Sequence, residues 1–111
     1  MLFRVFLAAF MVVLAGYTAV TISNHGWDLL PVFFGDMAAM AWPGQFNLDF
    51  MGFLMLSAIW TAWRNNFSPS GLALAVVAFF GGMMFLTIYL LALSLQLKGD
   101  VRAMLLGPAR A

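Results

Sequence analysis

The sequence predicts an all-α integral membrane protein with three transmembrane helices, the second and third forming a hairpin. A short interfacial or re-entrant helix is expected between the first and second. Three observations predict this. Val5 to Ile22 and Leu72 to Leu97 are uninterrupted apolar stretches, and about 20 such residues suffice to cross about 30 Å of hydrocarbon. A third apolar stretch, Leu48 to Trp63, lies between them. The composition is 65% hydrophobic and 8% charged, with mean hydropathy +1.00, whereas a soluble domain usually carries about 25% charged residues. A water-facing surface could not be covered from this inventory. The 111 residues leave room for one small bundle, a single membrane domain over 1–111.

The first span is expected at about residues 2–22. Arg4 ahead of an apolar run imitates a secretory signal, but the run is too long for a typical signal core and no clean Ala-x-Ala site follows. It reads as an anchor that stays. Ala8, Val12, Ala15 and Ala19 fall on one helical face, so Ala8, Ala15 and Ala19 are candidate helix-packing positions.

The connector, 24–45, mixes Trp27, Leu29, Leu30, Phe33, Phe34 and Trp42 with Pro31, Gly35, Asp36 and Pro43. Its apolar part, Leu29 to Trp42, reaches only about 21 Å as a helix, too short to span. An interfacial or re-entrant helix fits better, with Trp27 and Trp42 at headgroup level. A fourth crossing is the minority reading.

The second span is expected at about residues 47–63. Asn47 is placed to cap it and Asp49 to sit in its first turn, where the helix dipole favours an anion. With Gln45, these residues form either a polar cap or a polar entrance. Trp60, Trp63 and Arg64 make an aromatic and basic interfacial anchor at the other end. Asn65 to Gly71 is a polar turn that reverses the chain.

The third span, about residues 71–97, is overlong. Its roughly 26 residues would extend about 39 Å, so tilt, a bend at Gly81-Gly82 or projection past the interface must absorb the excess. Gly71, Ala75, Ala78 and Gly82 share one face. In lipid, small residues allow the close backbone approach that holds helices together, so this stripe is the expected seam with the first span or with a partner. A tail, 98–111, follows.

Basic residues leave sidedness open. With three crossings Arg4 and Arg64 share one side and Lys98, Arg102 and Arg110 the other; with four, Arg64 stands alone.

Chemistry is sparse. The chain has no Cys, which removes disulfides, thiolate metal sites and thiol redox chemistry. A net charge of +1 gives no reason to expect nucleic acid as a partner. His25 and Asp28 alone do not make a metal site. A single His could serve as the axial ligand of a tetrapyrrole, so His25 is the one cofactor candidate. No cofactor is otherwise expected beyond bound lipid. No phosphate loop, metalloprotease helix or nucleotide-binding turn is present, and no nucleophile–base pair can be drawn, so an enzyme is not expected.

The order of parts resembles a family of short bacterial integral membrane proteins known only as a domain of unknown function. The likeness is carried by the connector Gly26-Trp27-Asp28-Leu29-Leu30, by Phe46-Asn47-Leu48-Asp49 opening a hairpin of spans, and by Tyr89-Leu90. It implies a three-span, multi-pass protein of the bacterial inner (plasma) membrane. The expected function is a non-catalytic accessory or structural subunit packed against other membrane subunits in the bilayer. The alternatives are a self-associating transporter or channel for a small solute, and a pigment- or lipid-binding subunit.

Overall fold

The computed structural model describes residues 1–110, most of them in five helices. The first helix, α1, covers Leu2–His25 and is about 36 Å long. Arg4, Leu7, Ala8, Met11 and Leu14 form its less exposed face, at the spacing of one helical stripe. Past Leu14 this face has no cover. Every residue from Ala15 to Thr21 is exposed.

The connector folds into α2, Leu29–Ala38. A tight turn with Met40 at φ 59 leads into α3, Trp42–Arg64, with Pro43 in its first turn, where no backbone donor is required. α2 lies back along the start of α3. Gly44 approaches the backbone of Asp36 and Met37 so closely that a Cβ there would lie 2.7 Å from the Met37 Cα. The Asn47 amide donates to Phe33 O at 3.0 Å.

Two expectations are corrected here. Asn47 does not cap a helix; α3 begins at Trp42, with Ala41 as its N-cap, because Pro43 starts a helix readily and α2 supplies packing for the added turn. Nor are there three helices apolar enough to cross a membrane. By length and composition two qualify, Leu2–His25 and Pro69–Gln96. The extra turn brings Gln45 into the middle helix with Asn47, Asp49 and Arg64, and these polar groups lower its hydropathy.

Asn66 and Phe67, at φ 58 and φ 54, reverse the chain into α4, Pro69–Gln96. The Ser68 hydroxyl accepts from Gly71 N at 3.1 Å, as an N-cap does. α4 is not continuous. Gly82 has φ 56 and ψ −134, a conformation that a side chain strongly disfavours. Two contacts show what this break does. Gly71 packs on Asn65, where a Cβ would lie 2.6 Å from the Asn65 Cβ, and the Asn65 amide donates to the Tyr89 hydroxyl at 2.9 Å. In a straight helix Gly71 and Tyr89 would stand about 27 Å apart. Since one side chain touches both, α4 doubles back at Gly82, where Phe50 and Leu54 of α3 pack against the bend.

After Lys98 and Gly99, both at positive φ, Asp100 caps the short α5, Val101–Leu106, by accepting from Ala103 N at 3.2 Å. The buried set is small and partly polar: Leu7, Ala62, Ala78, Leu93, Ala103 and Met104, with Thr61, Thr87 and Ser94. Large apolar side chains face outward instead, among them Val13 at 68%, Phe53 at 65% and Phe80 at 70% exposure. This inverts the distribution expected of a soluble protein.

Gly82→Ala should lower thermal stability in detergent by about 1–3 kcal/mol, from backbone strain and from a Cβ placed 3.2 Å from the Phe50 ring and 3.4 Å from Leu54. Gly52→Ala, which meets open space, should be neutral or stabilising. Equal melting temperatures for the two variants would contradict this account of the bend.

Candidate functional site

The densest polar constellation lies where α3 ends, α4 returns and α5 begins. Arg64, the last residue of α3, is only 6% exposed. Its Nε donates to Met104 O at 2.5 Å and its Nη2 to Ala103 O at 3.3 Å. Its Nη1 reaches the Tyr89 hydroxyl at 3.3 Å and Asn65 Oδ1 at 3.5 Å. The guanidinium carbon stands 5.8 Å from the Tyr89 ring centroid. Trp60 adds a donation from its indole nitrogen to Leu105 O at 2.9 Å. Three consecutive carbonyls at the end of α5 are thereby satisfied by side chains of α3. Ala103 O also accepts from Gly107 N at 2.9 Å, whereas carbonyls at a helix C-terminus otherwise lack a backbone partner, and a planar fork of N–H donors suits them.

The capping is reciprocal. Arg110 donates to Trp63 O, near the end of α3, at 2.7 Å and lies 4.1 Å above the Trp63 ring. Gly107 makes the junction tight enough. It sits against Arg64 O at φ 85, so a side chain is opposed both by sterics and by backbone conformation. On the other flank, Arg4 donates to Ser94 Oγ at 2.6 Å and to Ser94 O at 3.0 Å, joining α1 to the end of α4. Arg64 is therefore a buried clasp, not the headgroup-facing anchor expected of it. The guanidinium takes its acceptors from carbonyls and a hydroxyl of this chain. What the constellation does is lock chain ends together.

The remaining candidates are dispersed. His25 closes α1 and is exposed, lining a shallow groove with Val13, Gly16, Tyr17, Val20, Thr21 and Asn24. Among the described residues no three His, Asp or Glu side chains gather in a metal-binding group. Gln45 and Asp49 are exposed and four residues apart, hence on one face of α3. Asn47 turns elsewhere, to Phe33. The proposed polar entrance is thus not assembled within one chain. Trp27 and Trp42 are 84% and 72% exposed, while Trp60 and Trp63 are engaged with Leu105 and Arg110. Gly71, Ala78 and Gly82 are buried within this chain, and Ala75 is half-buried. Ala8 is half-buried, and Ala15 and Ala19 are exposed.

Sequence reasoning missed the pairing of Arg64 with Tyr89, of Arg4 with Ser94 and of Arg110 with Trp63. Tyr89 stood out within Tyr89-Leu90, and Gly81-Gly82 was legible as a bend, but not how far the bend turns. Comparison of the chain with family models, with curated proteins and with solved structures returns no match.

Replacing Arg64 by Gln should release α5. Losing the donors to Ala103 O and Met104 O should cost about 2–3 kcal/mol, read as faster amide exchange over Val101–Leu106 in detergent with α1 unchanged. Unaltered protection of α5 would show that the clasp does not hold it.

Proposed function

We propose that this chain is a non-catalytic integral membrane protein that serves as an accessory subunit, seated against a larger membrane protein through the half of α1 that its own fold leaves bare. The observation that carries this reading is the stretch Ala15 to Thr21, where every residue is exposed although the first half of the same helix packs on α4. Ala15, Gly16 and Ala19 lie in this stretch. Helices in lipid associate through small residues that let backbones approach, and the bare half of α1 presents such residues where no other helix of the chain accompanies it.

The stripe on α4 is a weaker docking candidate, since Gly71, Ala78 and Gly82 are taken up inside the chain. Insertion in a bilayer is supported by the outward-facing apolar side chains and by the two long apolar helices. A multi-pass placement in the bacterial inner membrane is part of the proposal. It rests on the family resemblance. The solute-conducting alternative has less support, because Gln45 and Asp49 do not converge with Asn47.

Extraction in a mild detergent, followed by mass determination, should find the chain in a complex larger than its own 12.2 kDa together with other membrane subunits. Ala15→Leu with Ala19→Leu should reduce recovery of those subunits at unchanged expression. A free monomer in a nanodisc drawn directly from the native membrane would count against the proposal.

A further inference from the structure

We infer that α4 enters and leaves the membrane on one side, so that the chain crosses only by α1 and α3 and brings its basic residues to one end, where the exposed Lys98 and Arg102 face the phosphodiester headgroups of anionic lipids. This rests on the membrane insertion proposed above. Length is the first argument. By length, α1 and α3, about 36 Å and about 34 Å, each reach across a hydrocarbon layer of about 30 Å; α3 does so with Gln45, Asn47 and Asp49 gathered in its first turns and without the apolar composition of α1. The two halves of α4, on either side of Gly82, are about 20 Å each and cannot. The fold-back returns Tyr89 to Asn65 beside the start of α4, so both ends of α4 lie toward one end of the molecule.

Charge is the second argument. Arg4 bonds Ser94, and a Cβ built at Gly99 would lie 3.7 Å from Arg4 Nη2. Lys98 and Arg102 flank these contacts in sequence. Arg64 holds Ala103 and Met104, and Arg110 holds Trp63. All five Lys and Arg residues of the chain are therefore at one end. The only carboxylate side chain among these residues, Asp100, is occupied in capping α5. His25, Asp28 and Asp36 lie on the opposite side of the bend, at the far end of α1 and on α2. A straight α4 would have split the cations between the two faces. The bend removes the ambiguity, and the result follows the bias of Lys and Arg toward the cytoplasmic side. Lys98 and Arg102 are exposed at this end, where the anionic lipids of that leaflet attract basic groups and a guanidinium matches a phosphate oxygen pair.

The chain has no Cys, so one introduced thiol is unique. Asn66→Cys, in the exposed turn before α4, and Val101→Cys, on the exposed face of α5, should react with an impermeant maleimide from the same side of sealed vesicles. Trp27→Cys should react from the other. Labelling of Asn66→Cys and Val101→Cys from opposite sides would overturn the inference while leaving membrane insertion intact. Release of the chain from membranes by alkaline carbonate would instead remove insertion, and the inference with it.

The headgroup contact has its own readout. In a Trp27→Phe, Trp42→Phe background, Trp60 and Trp63 report on the basic end. Brominated phosphatidylglycerol should quench them more strongly than brominated phosphatidylcholine, with a preference of at most about fivefold per exposed cation. Lys98→Gln with Arg102→Gln should reduce that preference, and inorganic phosphate at constant ionic strength should leave it unchanged. Equal quenching by the two lipids, or displacement by phosphate, would overturn the assignment to lipid.

Discussion

A guanidinium buried among helices must have acceptors, and the arrangement of half the chain follows from how Arg64 obtains them. The cost of leaving a charge unpaired in an apolar interior is several kcal/mol. No carboxylate is used. The acceptors are the end carbonyls of α5, the Tyr89 hydroxyl and Asn65. All but the adjacent Asn65 demand something of a distant segment. The α5 carbonyls arrive only if the chain turns at Lys98-Gly99 and comes back across α3, and Gly107 must tolerate contact with Arg64 O. Tyr89 arrives only if α4 reverses at Gly82. The clasp and the bend are therefore one requirement seen at two places.

The same economy explains why many of the buried positions are small or polar, with Leu7, Leu93 and Met104 as the large apolar ones. Helices that bring backbones together through Ala62, Ala78, Ala103 and Gly82 leave little room for large side chains at those points. Phe53, Val76 and Phe80 are consequently turned outward. Thr61 and Thr87 satisfy their hydroxyls within their own helices, on Ser57 O and Met84 O, as membrane helices commonly do. Ser57 Oγ, buried and without a partner among the described residues, is the exception. α1 belongs to this packing only as far as Leu14, because the returning half of α4 ends its accompaniment at the bend. The uncovered remainder of α1 is a consequence of Gly82 as much as of its own sequence.

How much of this was legible beforehand depends on the range of the interaction. Helix, turn and cap are local, and the Asn65–Ser68 reversal, the overlength of α4 and the short connector helix could all be read from spacing and hydropathy. The start of α3 was misplaced by five residues because Asn47 resembles a cap, while the signal that mattered was Pro43 in the first turn. The stripe Gly71, Ala75, Ala78, Gly82 was legible as a packing face, yet the helix it meets could not be read. Arg64 was read as an interfacial anchor because Trp60 and Trp63 precede it. Its burial depends on a segment 40 residues away, and nothing in local pattern announces such a partner. Among the candidate site residues, those tied to long-range contacts are the ones whose roles changed.

Gly82 also separates two properties that a hydropathy sum runs together. By length and composition α4 qualifies as a crossing helix and α3 does not, yet the apolar residues of Pro69–Gln96 are divided between two rods by the bend. Crossing a bilayer, however, requires uninterrupted rise along one axis, because every turn of backbone must carry its hydrogen bonds through the hydrocarbon. α3 has that rise and carries the burden of Gln45, Asn47 and Asp49 near one end, where an ionisable group is cheaper than at the centre. α4 has the better composition and lacks the rise. In a chain this short the backbone conformation of one glycine outweighs the apolarity of the residues on either side, since it decides how far each half can reach.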